Sequence, residues 1–418
     1  MTNLMAFVRR RARAPAALAL TDQLVVSGCN FGSAVIVARE LPTHDFGLFS
    51  LAAMCCLFLS NLHRAALTQP MNVLGASDTP DQIGRRLAGL LRLHGLIVPL
   101  AAAALLLAAW LLFPDAGIVL AAIVYFTCFA LQETLRRYWY TRVAIREALV
   151  NDVLSYGGQL AALLVLAGVD GLSGASALSA MAATSLLAFA IGAAQVGAVA
   201  FRPARSMRAL IDEHWPMAKW LVLTVLAVWG AGQAYPLLLS PLGTTAVASF
   251  VACRTLLNVM APLVQSVGNY IPAHAAATLR TQGLALFRWQ LWRTCVAALA
   301  VGAAFLLLVH WLAEPLLHLV YNGRYDHAAP LLRVLACVTI FSLLSAILGA
   351  YALAMADSRS NFFSNLGASA VTFTAGLWLI GTQGVWGAAL GAVLTGATAM
   401  TLQGGFVVAR LHRMRAMQ

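Results

Sequence analysis

The chain has 418 residues, of which 61% are hydrophobic and only 10% are charged, and its formal net charge is +12. A soluble domain carries about 25% charged residues, so this composition excludes a soluble enzyme or nucleic-acid-binding domain and indicates a polytopic membrane protein. The basic excess is typical of loops at a membrane surface, and no nucleic-acid partner is expected.

Apolar stretches long enough to cross a bilayer, which takes about 20 residues each, recur along the whole chain. About twelve such spans are predicted, at residues 16–38, 46–70, 88–113, 116–137, 148–169, 174–200, 217–240, 245–272, 293–320, 328–355, 360–381 and 384–409. The predicted fold class is therefore an all-α membrane protein with about 12 transmembrane helices.

Basic residues alternate between the connections. Of the 27 Lys and Arg residues, 21 lie on one side of the membrane, in the terminal segments, in every second connection or at the adjoining ends of spans. The other connections hold only Arg39 and Arg324, and the four that remain lie in or at the edge of spans: Arg64, Arg92, Arg254 and Arg333. By the positive-inside rule both termini are cytoplasmic.

The longest connection predicts the domain organisation. It is a cytoplasmic linker at about 202–216, and it divides the helices into two six-helix lobes, 1–203 and 204–418. Because both lobes begin and end in the cytoplasm, their repeat must be parallel, about an axis along the membrane normal. A weak repeat at an offset of 201 residues places Arg64 over Gln265.

Polar residues inside the spans predict a binding site. They must face a partner, a cavity or the interface, and helical periodicity puts those of the second and eighth spans on one face of each helix. We predict a shared water-filled cavity whose candidate substrate-binding residues are Asn30, Asn61, Arg64, Arg254, Asn258, Gln265 and Asn269. The alternative is that the polar groups join helices and that Arg64 and Arg254 pair with Asp22 or Asp152.

Asp22 and Asp152 are carboxylic acids within apolar spans, and they are the candidates for ion coupling. Such a group can exchange a proton between two cavity states. The sequence contains no Walker lysine motif, His-Glu-x-x-His or Gly-x-Ser-x-Gly. No catalytic residues, metal site or cofactor are expected, and a membrane-embedded glycan enzyme is a less favoured class because the predicted outer loops are short.

Several short motifs, in the same order along the chain, resemble polysaccharide and oligosaccharide flippases. The motifs near the N-terminus are Asp22-Gln23, Ser27-Gly28-x-Asn30-Phe31, Ala38-Arg39-x-Leu41-Pro42 and Phe46-Gly47-x-Phe49. Those of the second half are Gly323-Arg324-Tyr325-x-x-Ala328, Leu331-Leu332-Arg333 and Gly384-x-x-Gly387-Ala388. These flippases (Wzx-like) belong to the multidrug/oligosaccharidyl-lipid/polysaccharide exporter superfamily.

The resemblance implies a flippase that works by alternating access in a bacterial inner membrane. Its cargo would be a lipid-diphosphate-linked oligosaccharide, an exopolysaccharide or lipopolysaccharide O-antigen repeat unit on a polyprenyl carrier. Its partners would be this lipid-linked oligosaccharide, the lipid bilayer, a polysaccharide polymerase and glycosyltransferases. Guanidinium groups suit such a cargo because they pair with diphosphate oxygens in a two-pronged geometry.

Two other transporter classes stay open. One is an ion-coupled multidrug antiporter of the same superfamily, which acidic and aromatic cavity residues would favour over paired arginines. The other is the major facilitator class, whose loop signature Asp81-Gln82-Ile83-Gly84-Arg85-Arg86 partly matches. In that signature Gln82 stands where the class has arginine.

The charge alternation generates a topology prediction. In a cysteine-free background, single cysteines at Asp45, Asp170 and Gln383 are expected to react with an impermeant maleimide applied outside the cell. Cysteines at Arg142, Arg208 and Arg288 are expected to stay unlabelled until the membrane is opened. External labelling of position 208 would show that the number of spans before it is wrong.

Overall fold

A computed structural model describes residues 2–75, 78–112, 115–197, 206–355, 357 and 359–416. Within these ranges, the description excludes the side chains of residues 2–17, 19, 20, 265, 269, 270 and 273.

The described residues are almost entirely helical, with short connections. The helices, numbered in chain order, are α1 Thr2–Glu40, α2 Thr43–Leu74, α3 Pro80–Leu112, α4 Ala116–Thr141, α5 Ile145–Gly168, α6 Gly174–Val196, α7 Met207–Gln233, α8 Thr244–Gly268, α9 His274–Tyr321, α10 Asp326–Ala354, α11 Arg359–Gln383 and α12 Val385–Ala416.

The predicted fold class is confirmed. Within the described residues, eleven helices, α2 to α12, are long and apolar enough to cross a membrane, and each matches one predicted span. The remaining predicted span, 16–38, lies inside α1. The cytoplasmic position of the termini stays a prediction.

The helices form two compact units, Met1–Val225 (unit 1) and Leu226–Gln418 (unit 2). The boundary between them falls inside α7. The predicted linker at 202–216 lies partly outside the described residues, and the predicted lobes 1–203 and 204–418 stay a prediction.

Several of these helices change their winding partway. Four π-helical turns interrupt them, at Arg64–Thr68 in α2, Val153–Gly157 in α5, Trp229–Gln233 in α7 and Thr372–Gly376 in α11. In α8, a 3₁₀ turn covers Asn258–Met260. Such turns release backbone carbonyls from the regular ladder and are frequent at functional sites.

Unit 1 packs most closely where α4 meets α6. The sequence of α6 is rich in Ala, Gly and Ser, and small residues let two helix backbones approach in a membrane. A Cβ atom added at Gly192 would lie 2.9 Å from the Asn151 amide nitrogen and 3.1 Å from Leu135. A side chain at this position would have to displace Asn151 or Leu135, so glycine favours the close packing of α4, α5 and α6 there.

Unit 2 has a comparable contact around a buried tyrosine. Tyr235, which follows α7, is fully buried, and its hydroxyl lies 2.8 Å from the Thr395 hydroxyl of α12. A Cβ atom at either Gly376 or Gly391 would lie 2.8 Å from the same hydroxyl. These two glycines make the space for the ring between α11 and α12.

The polar turn between α9 and α10 is built by residues that tolerate left-handed backbone. Asn322 has φ 54° and Gly323 has φ 81°, a region that favours glycine and asparagine. The reversal buries Tyr321 and Tyr325 completely, and the Tyr321 hydroxyl donates to the Ala252 carbonyl of α8 at 2.9 Å. The turn thereby fixes α8 against α9.

Candidate functional site

A buried cluster of ionisable residues lies in unit 1, around the guanidinium of Arg136 in α4. Its Nε donates to Asp152 Oδ2 at 2.5 Å and one Nη donates to Asp22 Oδ2 at 3.2 Å. The other Nη lies 3.4 Å from Glu133 Oε2. Both aspartates are completely buried, and the Arg136 side chain is only 7% exposed. One cation therefore joins carboxylates from α1, α4 and α5.

Neighbouring polar groups add hydrogen bonds to both aspartates. The Tyr140 hydroxyl donates to Asp22 Oδ2, the oxygen that Arg136 also binds. Gln132 Nε2 donates to Asp152 Oδ1 at 3.2 Å and to Asn151 Oδ1 at 2.8 Å. Asp22 Oδ1 has no hydrogen-bond partner among the described residues. The hydrogen bonds that do form offset part of the cost of burying these charges.

The cluster is formally neutral. Glu133 also accepts from Arg137 Nε at 2.7 Å, and Arg64 Nε lies 3.6 Å from the same carboxylate oxygen. When Arg64 and Arg137 are counted with Arg136, the charges of three guanidinium groups balance those of three carboxylates. We call these residues the Arg136 network; its members are Asp22, Arg64, Gln132, Glu133, Arg136, Arg137, Tyr140, Asn151 and Asp152.

Helical spacing explains how α4 contributes so much of this network. Glu133, Arg136, Arg137 and Tyr140 stand at i, i+3, i+4 and i+7, so they share one face. Because these residues lie near the end of the predicted span 116–137, the sequence predicts an ion pair of Glu133 with Arg136 and Arg137 at the membrane interface. Both ion pairs form in the structure, where Glu133 and Arg136 are buried. The spacing was the available signal for the larger network, and counting Arg136 with the loop arginines concealed it.

A buried histidine pair adjoins the network, and the sequence did not reveal it. His63 Nε2 and His94 Nε2 are 3.1 Å apart, and His94 Nδ1 lies 2.9 Å from the Leu90 carbonyl oxygen. Nδ1 of His94 must therefore carry a hydrogen, so in the neutral pair His63 donates and His94 accepts. His63 directly precedes Arg64, so the pair connects α3 to the network through α2.

In unit 2, the predicted residue Arg254 binds the π-helical turn at the end of α7. Its two terminal nitrogens donate to the Gln233 amide oxygen at 2.7 Å and to the Gly232 carbonyl at 3.3 Å. The side chain is half-buried, and no ion pair with a carboxylate forms among the described residues. Arg254 thus differs from Arg136, which is surrounded by acids.

The other predicted substrate-binding residues have simpler surroundings. Asn30 and Asn258 are exposed, and Asn61 donates to the Leu57 carbonyl one turn earlier at 2.8 Å. Arg64 keeps 46% of its side chain exposed while it pairs with Glu133. The side chains of Gln265 and Asn269 lie outside the described part of the structure, so the predicted site residues as a set stay a prediction.

The described residues contain no group of three or more His, Cys, Asp or Glu side chains arranged to hold a metal ion. The acids of the Arg136 network surround a guanidinium, which satisfies their charge.

The network generates a stability prediction. Replacing Arg136 by Gln leaves three buried carboxylates without their shared cation, and we expect a loss of about 3–5 kcal/mol. The matched control is Arg137→Gln, one residue away and more exposed, which removes a single pair and should cost about 1 kcal/mol or less. Thermal unfolding in detergent would measure both. Equal losses for the two variants would contradict the central role of Arg136.

Three solved structures show which fold this arrangement belongs to. The first is a multidrug resistance MATE family transporter of the MOP superfamily in its inward-facing conformation, with TM-score 0.74, 13% identity and 94% and 96% coverage of this chain and of that one. A eukaryotic MATE transporter, AtDTX14, matches with TM-score 0.65, 16% identity and 98% and 99% coverage. A MOP superfamily transporter from Pyrococcus furiosus matches with TM-score 0.61, 12% identity and 95% and 94% coverage.

No protein-family model matches the chain, and no curated protein matches it at a significant level. The solved structures cover nearly the whole chain at low identity. The chain therefore has the fold of the MATE transporters of the MOP superfamily, and the loop signature of the major facilitator class was misleading.

Proposed function

We propose that this protein is a membrane transporter that works by alternating access, and that it is an ion-coupled antiporter of organic solutes. The observation that carries the proposal is the Arg136 network, a set of buried acids inside one compact unit of a MATE transporter fold. Ionisable residues are costly within a membrane and commonly mark ion pathways. The same fold in a multidrug resistance transporter supports this cargo class.

The network suggests how an ion would act on the protein. A proton or metal cation that binds Oδ2 of Asp22 or of Asp152 must compete with Arg136 for that oxygen, and at Asp22 also with Tyr140. Those hydrogen bonds join α1 and α5 to α4, so binding would loosen one helix from another. A ligand shifts a conformational equilibrium when it binds one of two states more tightly than the other. An ion that competes with these hydrogen bonds would bind more tightly to a state in which they are already broken.

A second candidate is the flippase of lipid-diphosphate-linked oligosaccharides in a bacterial inner membrane. Arg254 favours it, because its guanidinium donates to neutral oxygens and not to a carboxylate among the described residues. The substrate-binding set would then be Arg64 and Arg254, with Asn30, Asn61, Asn258, Gln265 and Asn269 around them. The MOP superfamily transporter from Pyrococcus furiosus, whose binding pocket has reverse polarity that suggests a different function, supports keeping this second candidate.

Reconstituted liposomes would separate the two candidates. We expect a proton or sodium gradient to drive ethidium transport by the wild-type protein. Asp22→Asn should slow it about tenfold, with ethidium binding unchanged, because the carboxylate that competes for the ion is lost. The matched control is Asp45→Asn, an acid outside the network that pairs only with exposed His44 among the described residues.

One set of results would contradict the antiporter proposal and favour the flippase. Wild-type protein that does not transport ethidium, but exports lipid-linked oligosaccharide in cells and loses that export on Arg254→Ala, would reject the antiporter and support the flippase. In that case Arg254→Lys should restore export only partly, because an ammonium group keeps the charge but loses the two-pronged geometry.

A further inference from the structure

A pocket of about 530 Å³ lies within unit 2, apart from the Arg136 network and Arg254. It is formed on both sides of Gly283, where the helical backbone of α9 is interrupted. Gly283 has φ 82°, in the left-handed region that favours glycine, and the helix is kinked there. The two helical arms that meet there form the pocket walls, and α10 closes its floor.

Helical spacing brings the lining residues together. Before the break, Val267, Ile271, His274 and Ala275 stand at i, i+4, i+7 and i+8, on one face. After the break, two pairs of residues form the other wall and lie one helical turn apart: Trp289 with Gln290, and Arg293 with Thr294. The floor is the buried Tyr351, whose hydroxyl lies 3.2 Å from that of Thr294.

The polar side of the pocket is positively charged. The Arg293 guanidinium lies 5.2 Å from the centre of the Trp289 ring, and His274 faces the same space. None of the lining residues is acidic. Arg293 has a cation–π contact but no carboxylate partner within the described residues. The pocket therefore combines a cation that lacks a counter-ion with aromatic and aliphatic walls.

Unit 2 as a whole also carries a positive net charge. Residues 226–418 contain ten arginines and three acids, which are Glu314, Asp326 and Asp357. Seven of the ten belong to the side of the membrane predicted to be cytoplasmic, where this pocket also falls: Arg280, Arg288, Arg293, Arg359, Arg410, Arg413 and Arg415. Such a surface concentrates anions, and basic pockets between transmembrane helices are suited to anionic head groups.

We propose that this pocket binds an amphipathic anion, with its oxyanion group against Arg293 and His274 and its apolar part against Trp289, Ile271 and Val267. Two sources offer this chemistry. One is the phosphodiester head group of an anionic phospholipid from the adjacent leaflet, and the other is a soluble aromatic sulfonate or carboxylate. The proposal is independent of the transport function, since it concerns binding alone.

The test uses the purified full-length protein in neutral detergent. Native mass spectrometry would measure binding of phosphatidylglycerol and of phosphatidylcholine with the same acyl chains, and equilibrium dialysis would measure naphthalene-2-sulfonate. We expect phosphatidylglycerol, the sulfonate or both to bind, and phosphatidylcholine to bind at least tenfold more weakly. Arg293→Gln should weaken anion binding about tenfold, as expected for the loss of a charge-assisted hydrogen bond.

The matched control is Arg288→Gln. Arg288 is exposed, lies five residues earlier in the same helix and does not line the pocket, so its loss should leave binding unchanged. Arg293→Lys keeps the charge and should retain most of the binding, which separates recognition from misfolding. Equal weakening by Arg288→Gln and Arg293→Gln, equal binding of the two lipids without sulfonate binding, or no binding of either anion would overturn the proposal.

Discussion

The structure of unit 1 depends on one guanidinium shared by three carboxylates. Placing Asp22, Glu133 and Asp152 inside an apolar bundle costs several kcal/mol for each ion, and mutual attraction offsets this only when geometry and hydrogen bonding are nearly complete. Arg136, Gln132 and Tyr140 bind three of the four oxygens of the two aspartates, and Asp22 Oδ1 has no partner among the described residues. As a result, α1, α4 and α5 can pack together only in an arrangement that keeps these contacts.

This constraint also limits how the protein can respond to ions. A neutral cluster exerts little net attraction on a distant cation, so any coupling ion must act locally, by replacing one existing hydrogen bond at a time. The π-helical turns beside Asp152 and at Arg64 place irregularly wound backbone next to those bonds. Unit 2 differs from unit 1 in the partners of its half-buried arginine. Arg254 donates to the Gly232 backbone carbonyl and to the Gln233 amide oxygen, and both acceptors are neutral.

The sequence predicted the helices well because length and hydropathy alone determine whether a segment can cross a bilayer. It also identified Asp22, Asp152, Arg64 and Arg254 as unusual, because charge within an apolar span is rare. It did not predict their partners. Arg136 stands near the end of a span, where it counts with the loop arginines, and its burial depends on how α1 and α5 pack around α4. The His63–His94 pair joins two helices through tertiary contact, which leaves no local pattern.

The coupling energy between Arg136 and Asp152 is the most direct measure of this account. A double-mutant cycle with Arg136→Gln, Asp152→Asn and the double variant, by reversible unfolding in mixed micelles, isolates that energy from the separate effect of each substitution. The account predicts that the double variant is more stable than the sum of the single losses allows, by about 1–3 kcal/mol. Losses that add within about 0.5 kcal/mol would show that the two residues do not depend on each other, and would contradict the account.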